Sequence, residues 1–285
     1  MAKKPYQRPY IDILLPYKEV FTPSNAGAVS TVVSDLAYHT TLEYEFHIYG
    51  RQITSPSFPE LCYHALKPKW PLIYGHNLGL AHSYIKDLQR RERQPSLIEV
   101  HGRCQVASTI AKITKTAKVA LFLHNDPRRM TGSKTLAERL WLARNLAGIF
   151  ANSNYIKNCF LDGFSNTEIS QTPIFITPLG ANRNIKNKPS KEKTIIIASR
   201  IVPEKGILQA AIALRDILPD FPEWRVKIIG AKHFRDGTIS DYEKSVKETL
   251  APLQGQAEMA GFLPLAQINK ELEKAAIAIV PSVWQ

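Results

Sequence analysis

The stretch K-T-I-I-I-A-S-R-I-V-P-E-K-G, residues 193–206, decides the fold of the second half of the chain. Its run 195–199 is apolar or small and predicts a short buried strand, and a helix can begin at Lys205. Arg200 and Lys205 flank the loop between the two elements. Two cations at the carboxyl end of a strand, beside the positive end of a helix dipole, suit a diphosphate. The alternative is a surface loop with two solvated cations.

The same order of strand, loop and helix recurs through the chain. An apolar strand at residues 11–15 is followed by a loop and by a helix at residues 28–39 whose apolar residues share one face. Further strands are predicted at 44–49, 96–100, 119–123, 148–153, 174–177, 225–229, 258–263 and 276–280. Further helices are predicted at 78–93, 105–116, 135–146, 154–161, 206–218, 242–253 and 268–274. This alternation predicts an α/β protein with doubly wound parallel sheets.

The length of the chain, 285 residues, suits about two domains. A polar, cation-rich segment at residues 183–193 separates two series of strands and helices and predicts a linker. We therefore expect one domain over residues 1–178 and a second over residues 179–285.

Two histidines follow successive predicted strands of the first domain. His101 ends the strand 96–100, and His124 ends the strand 119–123 and is followed by Asn125 and Asp126. In a doubly wound sheet, residues that follow the strands lie in the crevice at the carboxyl edge. A single histidine there is more often a hydrogen-bonded structural residue, but two in successive units indicate a site.

In this order the motifs resemble the glycosyltransferase family 4 type. Members of that family have the GT-B fold, two Rossmann-like domains facing a cleft, and take sugars from nucleotide donors. R-x-x-x-x-K-G at 200–206 looks like the donor-diphosphate clamp, and P-L-G-A-N at 178–182 is similar to the turn at the domain crossing. The resemblance implies that Arg200 and Lys205 bind the diphosphate.

The resemblance also implies roles in the first domain. L-F-L-H-N-D-P at 121–127 is similar to the strand-end histidine beside the donor sugar, which makes His124 the expected catalytic residue. His101 resembles the preceding strand end, which lines the acceptor side. Asn125 and Asp126 are expected on the acceptor side as well.

Three more donor contacts are implied by the resemblance: Gly27, Gly230 and Phe262. Gly27 ends an Asn-Ala-Gly turn where the family usually has a Gly-Gly pair that lets ligands approach the backbone. The single glycine departs from that pattern. Gly230 begins a small-residue turn after a strand, and Phe262 belongs to a Gly-Phe turn of the kind that lies near the nucleotide base.

The sequence A-I-A-I-V-P-S-V-W-Q, which ends at Gln285, resembles the family's lead-in to a pair of glutamates seven residues apart. The resemblance therefore implies that both glutamates, and the last fifth to quarter of the family's length, are missing from this chain.

The formal net charge of +12 is concentrated in the first domain, where residues 1–178 hold 21 basic and 13 acidic residues. Nucleic acid, an anionic membrane surface and an acidic substrate would each explain this surplus. The amino-terminal residues lack the apolar core of a signal peptide, and no apolar run approaches the length of a membrane span. We therefore expect a cytoplasmic location, and as a second expectation peripheral contact with the inner face of the membrane.

The three cysteines, Cys62, Cys104 and Cys159, suggest neither a disulfide framework nor a Cys-x-x-Cys metal site.

The function that the resemblance implies is a retaining glycosyltransferase that moves a sugar from a nucleotide-diphosphate sugar to a glycan or an anionic glycolipid such as a lipopolysaccharide core. We expect no cofactor and no metal, because no Asp-x-Asp motif is present. The alternative is a sugar-nucleotide epimerase or a phosphorylase with the same fold. A nucleic-acid-binding protein is disfavoured, because aromatic residues are not interleaved with the basic clusters and no nucleic-acid-binding motif is present.

Overall fold

The computed structural model describes residues 8–114, 117–180, 189–232 and 238–283. The chain divides into two compact units, Met1–Asn182 and Arg183–Gln285. Most of the predicted linker lies outside the described residues, and its last two residues belong to a strand of the second unit.

The first unit contains a parallel sheet of seven strands. The strands are β1 (Tyr10–Leu14), β2 (Glu45–Arg51), β3 (Cys62–Leu66), β4 (Leu97–His101), β5 (Val119–Leu123), β6 (Gly148–Ala151) and β7 (Ile174–Ile176). Their order is β3-β2-β1-β4-β5-β6-β7, and every pairing is parallel. The order reverses between β1 and β4, and ligands of doubly wound sheets bind at such a point.

Helices connect these strands across both faces of the sheet. They are α1 (Ala28–His39), α2 (Pro71–Leu88), α3 (Cys104–Ile113), α4 (Leu136–Asn145), α5 (Asn154–Leu161) and α6 (Asn166–Gln171). Capping boxes begin α4 and α6, because the side chains of Thr135 and Ser165 each exchange hydrogen bonds with a glutamate three residues later. Gly75, with φ of 72°, kinks the start of α2.

The sheet has two different faces, because successive residues of a strand point to opposite sides. One face packs on α2 to α5 through the larger apolar core, which includes Val100, Leu121 and Ile149. The other face packs on α1 through a smaller core, which includes Ile13 and Val33. Alternation along β4 therefore places Val100 in the larger core and its neighbour His101 on the α1 face.

The second unit contains a parallel sheet of four strands. The strands are β8 (Glu192–Ala198), β9 (Arg225–Ile229), β10 (Ala257–Gly261) and β11 (Ala275–Ala278), and the helices are α7 (Ile207–Ile217), α8 (Asp241–Leu250) and α9 (Leu265–Lys274). The order is β10-β9-β8-β11, which again reverses beside the first strand of the unit. Ile197, Val226 and Ile228 form its core with apolar residues of α7 and α8.

The predicted α/β class and the parallel sheets are confirmed. Strand β8 begins three residues earlier than its apolar run, because Glu192 pairs with Ala275 of β11 and Thr194 pairs with Arg225 of β9. Strand β3 and helix α6 were not predicted. The helix predicted at 78–93 ends at Leu88, and Arg91 turns back towards the sheet.

A carboxylate lies inside the first unit and has a cation as its partner. Asp12 on β1 has no solvent exposure, and its Oδ2 accepts hydrogen bonds from Arg91 Nη1 at 2.7 Å and from the Tyr84 hydroxyl at 2.6 Å. Burial and the Asp12 charge raise the pKa of the Tyr84 hydroxyl above its ordinary value. An ionised carboxylate is stable in the buried core only if it keeps its hydrogen bonds to these donors.

Replacing Arg91 with leucine therefore leaves Asp12 buried without its counter-charge. We expect Arg91→Leu to lower the free energy of unfolding by about 3 kcal/mol, measured by urea denaturation at neutral pH. The control is Arg90→Leu, because Arg90 is exposed next to it. Equal stability of the two variants would contradict the structural role of the Asp12 pair.

Candidate active site

The ends of β4 and β5 bring the two predicted histidines into contact. His101 Nδ1 lies 3.1 Å from His124 Nε2, and the two rings stack with centroids 5.3 Å apart. His101 is buried with 1% exposure, whereas His124 is partly exposed. The pair is therefore a single hydrogen-bonded unit whose outer member, His124, can reach a ligand.

A glutamate on the same face of β4 completes this unit. Glu99 is two residues before His101, and its Oε2 lies 3.6 Å from His101 Nε2. Among the described residues His101 Nε2 has no hydrogen-bond partner. A proton on Nε2 faces the carboxylate, so this tautomer is favoured and leaves Nδ1 to accept a hydrogen bond from His124. Glu99 and His101 thus orient the His124 ring.

Burial, and to a smaller extent the electrostatic interaction with His101, lowers the pKa of His124 to about 4. His124 is therefore neutral at physiological pH, with one nitrogen bonded to His101 and the other, Nδ1, carrying a lone pair. A neutral, oriented imidazole can accept a hydrogen bond from a hydroxyl group of a ligand.

An aromatic row supports the histidines on the α1 face of the sheet. His101, Phe122, Phe150 and Phe175 are paired residues on β4, β5, β6 and β7. Their rings stack in turn, with centroids 4.6, 4.6 and 5.5 Å apart. Cross-strand aromatic contacts of this kind stabilise a sheet and hold its side chains in place.

A groove of about 460 Å³ runs along this row within the first unit. Phe122 and Phe150 form its floor, and Val33 and Leu36 of α1 form one wall. Its polar lining includes Glu99, His101, His124 and Asn152. A largely apolar groove with a few convergent polar groups is the usual form of a small-molecule site.

The two predicted acceptor-side residues after His124 differ in their surroundings. Asn125 is exposed, whereas Asp126 is buried and its carboxylate accepts hydrogen bonds from the Arg128 backbone and guanidinium. The Arg128 guanidinium and backbone amide hold the pKa of Asp126 below its ordinary value. Asp126 therefore shapes the turn that follows β5.

Gly27 is the N-cap of α1, and a carboxylate fills the space beside it. A Cβ atom at Gly27 would lie 2.5 Å from Glu19 Oε2, and this oxygen accepts a hydrogen bond from the Ser30 amide at 3.0 Å. The close approach predicted at this glycine is thus made by the protein's own glutamate.

In the second unit, the predicted cations flank the loop between β8 and α7. Arg200 is exposed, and its Nη2 lies 3.5 Å from Glu204 Oε1. Lys205 ends a 3₁₀ turn directly before Gly206, which has φ of 62° and is the N-cap of α7. The structure therefore places both cations at a strand end and beside a helix start, as the sequence predicts.

The glycines at this edge permit close backbone packing. A Cβ atom at Gly206 would lie 2.0 Å from the Pro281 carbonyl oxygen, and one at Gly230 would lie 1.9 Å from that of Ser199. The Gly230 amide also donates to the Gly261 carbonyl at 2.7 Å. These contacts bring the ends of β8, β9, β10 and β11 together.

Phe262 follows β10 at the same edge and is 42% exposed. Since β10, β9 and β8 are adjacent in the sheet, Phe262 and Gly230 lie at the same carboxyl edge as the Arg200 loop. All four predicted contacts of the second unit thus belong to one edge.

Glu99, Asn152 and Glu19 were missed by sequence reasoning. The sequence could have indicated Glu99, because alternation along β4 places residues 99 and 101 on the same face of the sheet. Asn152 follows β6 as His124 follows β5, and its Nδ2 donates to the His124 carbonyl at 3.3 Å. No sequence pattern could have indicated Glu19, since its contact with Ser30 depends on the path of a loop.

Solved structures establish the fold class of the chain, which is GT-B. Anabaena Alr3699/HepE, solved with UDP and glucose, aligns with a TM-score of 0.68 and 15% identity over 96% of this chain and 74% of that chain. A glycosyltransferase from Rickettsia africae ESF-5 aligns with a TM-score of 0.66 and 17% identity over 98% and 74%. The lipopolysaccharide outer core galactosyltransferase WaaB aligns with a TM-score of 0.61 and 13% identity over 97% and 75%.

Sequence comparison identifies the family to which the second half is similar. Residues 180–285 match the family of Glycosyl transferases group 1. The chain is 23% identical over 278 residues to YtcC of Bacillus subtilis (strain 168). YtcC is provisionally named a glycosyltransferase. This alignment covers 90% of the chain and 65% of YtcC. A stretch of 90 residues, 32% of this chain and 9% of the relative, is 32% identical to the exopolysaccharide phosphotransferase SCO2592 of Streptomyces coelicolor.

The lowered pKa of His124 can be measured by NMR titration of the histidine rings. We expect His124 to titrate at about 4, and its pKa to rise in His101→Gln but to stay below 6.5, because burial is the larger cause. His76→Gln, an exposed histidine, serves as the control. A His124 pKa at its ordinary value in the intact protein would contradict the buried geometry.

The same shift makes stability depend on pH. The unfolded chain binds a proton at His124 near pH 6.5 and the folded chain only near pH 4, so stability falls as the pH drops through this window.

Proposed function

We propose that the chain is a retaining glycosyltransferase of the family 4 type that takes its sugar from a nucleotide-diphosphate donor. The observation that carries the proposal is the edge of the second unit, where Arg200, Lys205 and the start of α7 lie together. The match of residues 180–285 to the Glycosyl transferases group 1 family supports it. Alr3699/HepE, which has the same fold, was solved with UDP and with UDP-glucose.

The chemistry of this edge suits a departing diphosphate. When the bond between sugar and phosphate breaks, negative charge builds on the diphosphate oxygens. Arg200 and Lys205 would stabilise that charge, and the positive end of the α7 dipole would add to this effect. The pair between Arg200 and Glu204 is exposed and therefore weak, so a diphosphate can replace the glutamate as partner. We expect the transfer to need no metal.

We propose that His124 binds and positions the sugar of the donor. Its neutral ring would accept a hydrogen bond from a sugar hydroxyl and fix the position of the sugar, while Glu99 and His101 fix the ring. Positioning of this kind contributes to the rate because it holds the reacting atoms in line.

We propose a glycan or an anionic glycolipid as acceptor, with a lipopolysaccharide core as one example, and a place at the inner membrane face. The basic surplus of residues 1–178 supports an anionic acceptor. The name of WaaB identifies that protein as a lipopolysaccharide galactosyltransferase. Within the described ranges, no helix has the length and apolar character that a membrane crossing requires. His101, Asn125 and Asp126 stay the predicted acceptor-side residues.

Calorimetric titration with UDP, GDP and ADP tests the diphosphate site. We expect one of the three to bind, and Lys205→Ala to weaken that binding by about tenfold or more, because a charge-assisted hydrogen bond is lost. The control is Lys247→Ala, an exposed lysine in the last turn of α8. If both variants lost the same affinity, the effect would come from the net charge of the protein and not from a contact of Lys205. If none of the three nucleotides bound, the proposed donor site would be contradicted.

Transfer assays test the role of His124. With the bound donor identified, we expect His124→Asn to lower kcat by about 10²-fold while the Kd for the nucleotide is unchanged. His76→Gln should retain both values. A His124→Asn enzyme with full kcat would contradict the assignment, and formation of an epimerised sugar or of a sugar phosphate would favour an epimerase or a phosphorylase.

A further inference from the structure

The edge of the first sheet carries a cluster of three side chains that the proposed transfer does not use. His47 on β2 is paired with Cys62 on β3, and His64 lies two residues further along β3. Because side chains alternate along a strand, Cys62 and His64 lie on the same face, and His47 lies on that face across from Cys62. One nitrogen or sulfur atom from each of the three side chains lies within 4.8 Å of the others, and Cys62 Sγ is 3.2 Å from His64 Nε2.

Neighbouring rings hold both histidines in position. The His64 ring stacks on Tyr49 with centroids 4.6 Å apart and an angle of 12°, and the His47 ring lies 4.9 Å from that of Tyr10. Both tyrosines are buried, with exposures of 3% and 4%. The histidine side chains are therefore constrained before any ligand arrives, and preorganised ligands bind a metal ion at lower entropic cost.

One carboxylate and two cations lie near the cluster: Arg93 Nη1 is 4.0 Å from Glu45 Oε2, and the Arg91 guanidinium lies over the Tyr49 ring that stacks on His64. Glu45 Oε2 lies 3.9 Å from His47 Nε2, and Glu45 is on the same face of β2. Cys62 is exposed, which leaves a path from solvent to the cluster. The face is opposite to that of the active-site groove, since the preceding residue, Phe46, lines the groove.

We infer that His47, Cys62 and His64 form a binding site for a transition-metal ion, and that Zn²⁺ is the ion their chemistry fits. A thiolate and two imidazoles are ligands that Zn²⁺ prefers, and donor atoms 3 to 5 Å apart can surround one ion after small side-chain rotations. Glu45 or a water molecule would take the fourth position of the tetrahedron. The inference is independent of the proposed sugar transfer.

A bound ion would join the edge strand β3 to β2. Edge strands are paired on one side only and are the weakest part of a sheet. The site therefore acts as a cross-link that stabilises the first unit, and the metal should change thermal stability whether or not a nucleotide or acceptor is present.

Cobalt titration of the reduced, metal-free protein tests the site, because Co²⁺ replaces Zn²⁺ and is visible by absorption. We expect one Co²⁺ per chain, with a thiolate-to-cobalt charge-transfer band in the near ultraviolet and strong visible bands typical of tetrahedral coordination. Added Zn²⁺ should displace the cobalt. Cys62→Ser should lose the charge-transfer band, and His64→Gln should weaken binding by about tenfold or more.

Thermal unfolding provides a second measurement. At a Zn²⁺ concentration about 100 times the Kd, we expect Tm to rise by roughly 5 °C in the intact protein, and not to rise in Cys62→Ser. The exposed control His76→Gln should behave like the intact protein in both measurements. Circular dichroism of each metal-free variant verifies that it is folded.

Two results would overturn the inference. One is the absence of a charge-transfer band in the intact protein at saturating Co²⁺. The other is a band that persists in Cys62→Ser, since the metal would then be bound by one of the buried cysteines, Cys104 or Cys159.

Discussion

Parallel strands can follow one another only when the chain crosses back over a face of the sheet, and this constraint decides where the polar residues of this protein lie. The carboxyl ends of all strands of one unit therefore lie at the same edge of its sheet. In the first unit this edge brings His101 and His124 within hydrogen-bonding distance, although 22 residues separate them in the sequence. In the second unit the same constraint gathers the loop after β8 and the turns after β9 and β10.

Two of the buried polar residues of the first unit, Asp12 and His101, each have one atom without a hydrogen bond among the described residues, but they differ in their other contacts. Asp12, on the face of α2, receives hydrogen bonds from Arg91 and Tyr84, and it connects the central strand to the chain that follows α2. His101, on the face of α1, keeps Nε2 without a hydrogen bond in the described part of the chain. A buried group that lacks a partner has a free-energy cost, and such costs are concentrated at functional sites. Asp12 is bound by Tyr84 and Arg91 in the core, whereas His101 contacts His124 in the candidate site.

The sequence predicted most of the elements because their apolar patterns are local. Bounds of α1, β5, α5 and β9 agree with the pattern residue for residue. Strand β3, C-Y-H-A-L, escaped prediction because it is a short edge strand with polar residues on it. The contact between His101 and His124 followed from two strand ends, but the cluster of His47, Cys62 and His64 depends on the register between β2 and β3, which no local pattern specifies.

Glu19 places a carboxylate at the first turn of α1, and the first turn of α7 contains no acidic residue. The Glu19 carboxylate already accepts a hydrogen bond from the Ser30 amide in the first turn of α1, so an incoming phosphate would meet negative charge there. Helix α7 has Gly206 as its N-cap and no acidic residue in its first turn, and its Leu208 amide donates to the neutral Tyr242 hydroxyl. The positive end of its dipole is therefore not neutralised from within its own first turn. A phosphate group would therefore meet less negative charge at the first turn of α7 than at the first turn of α1.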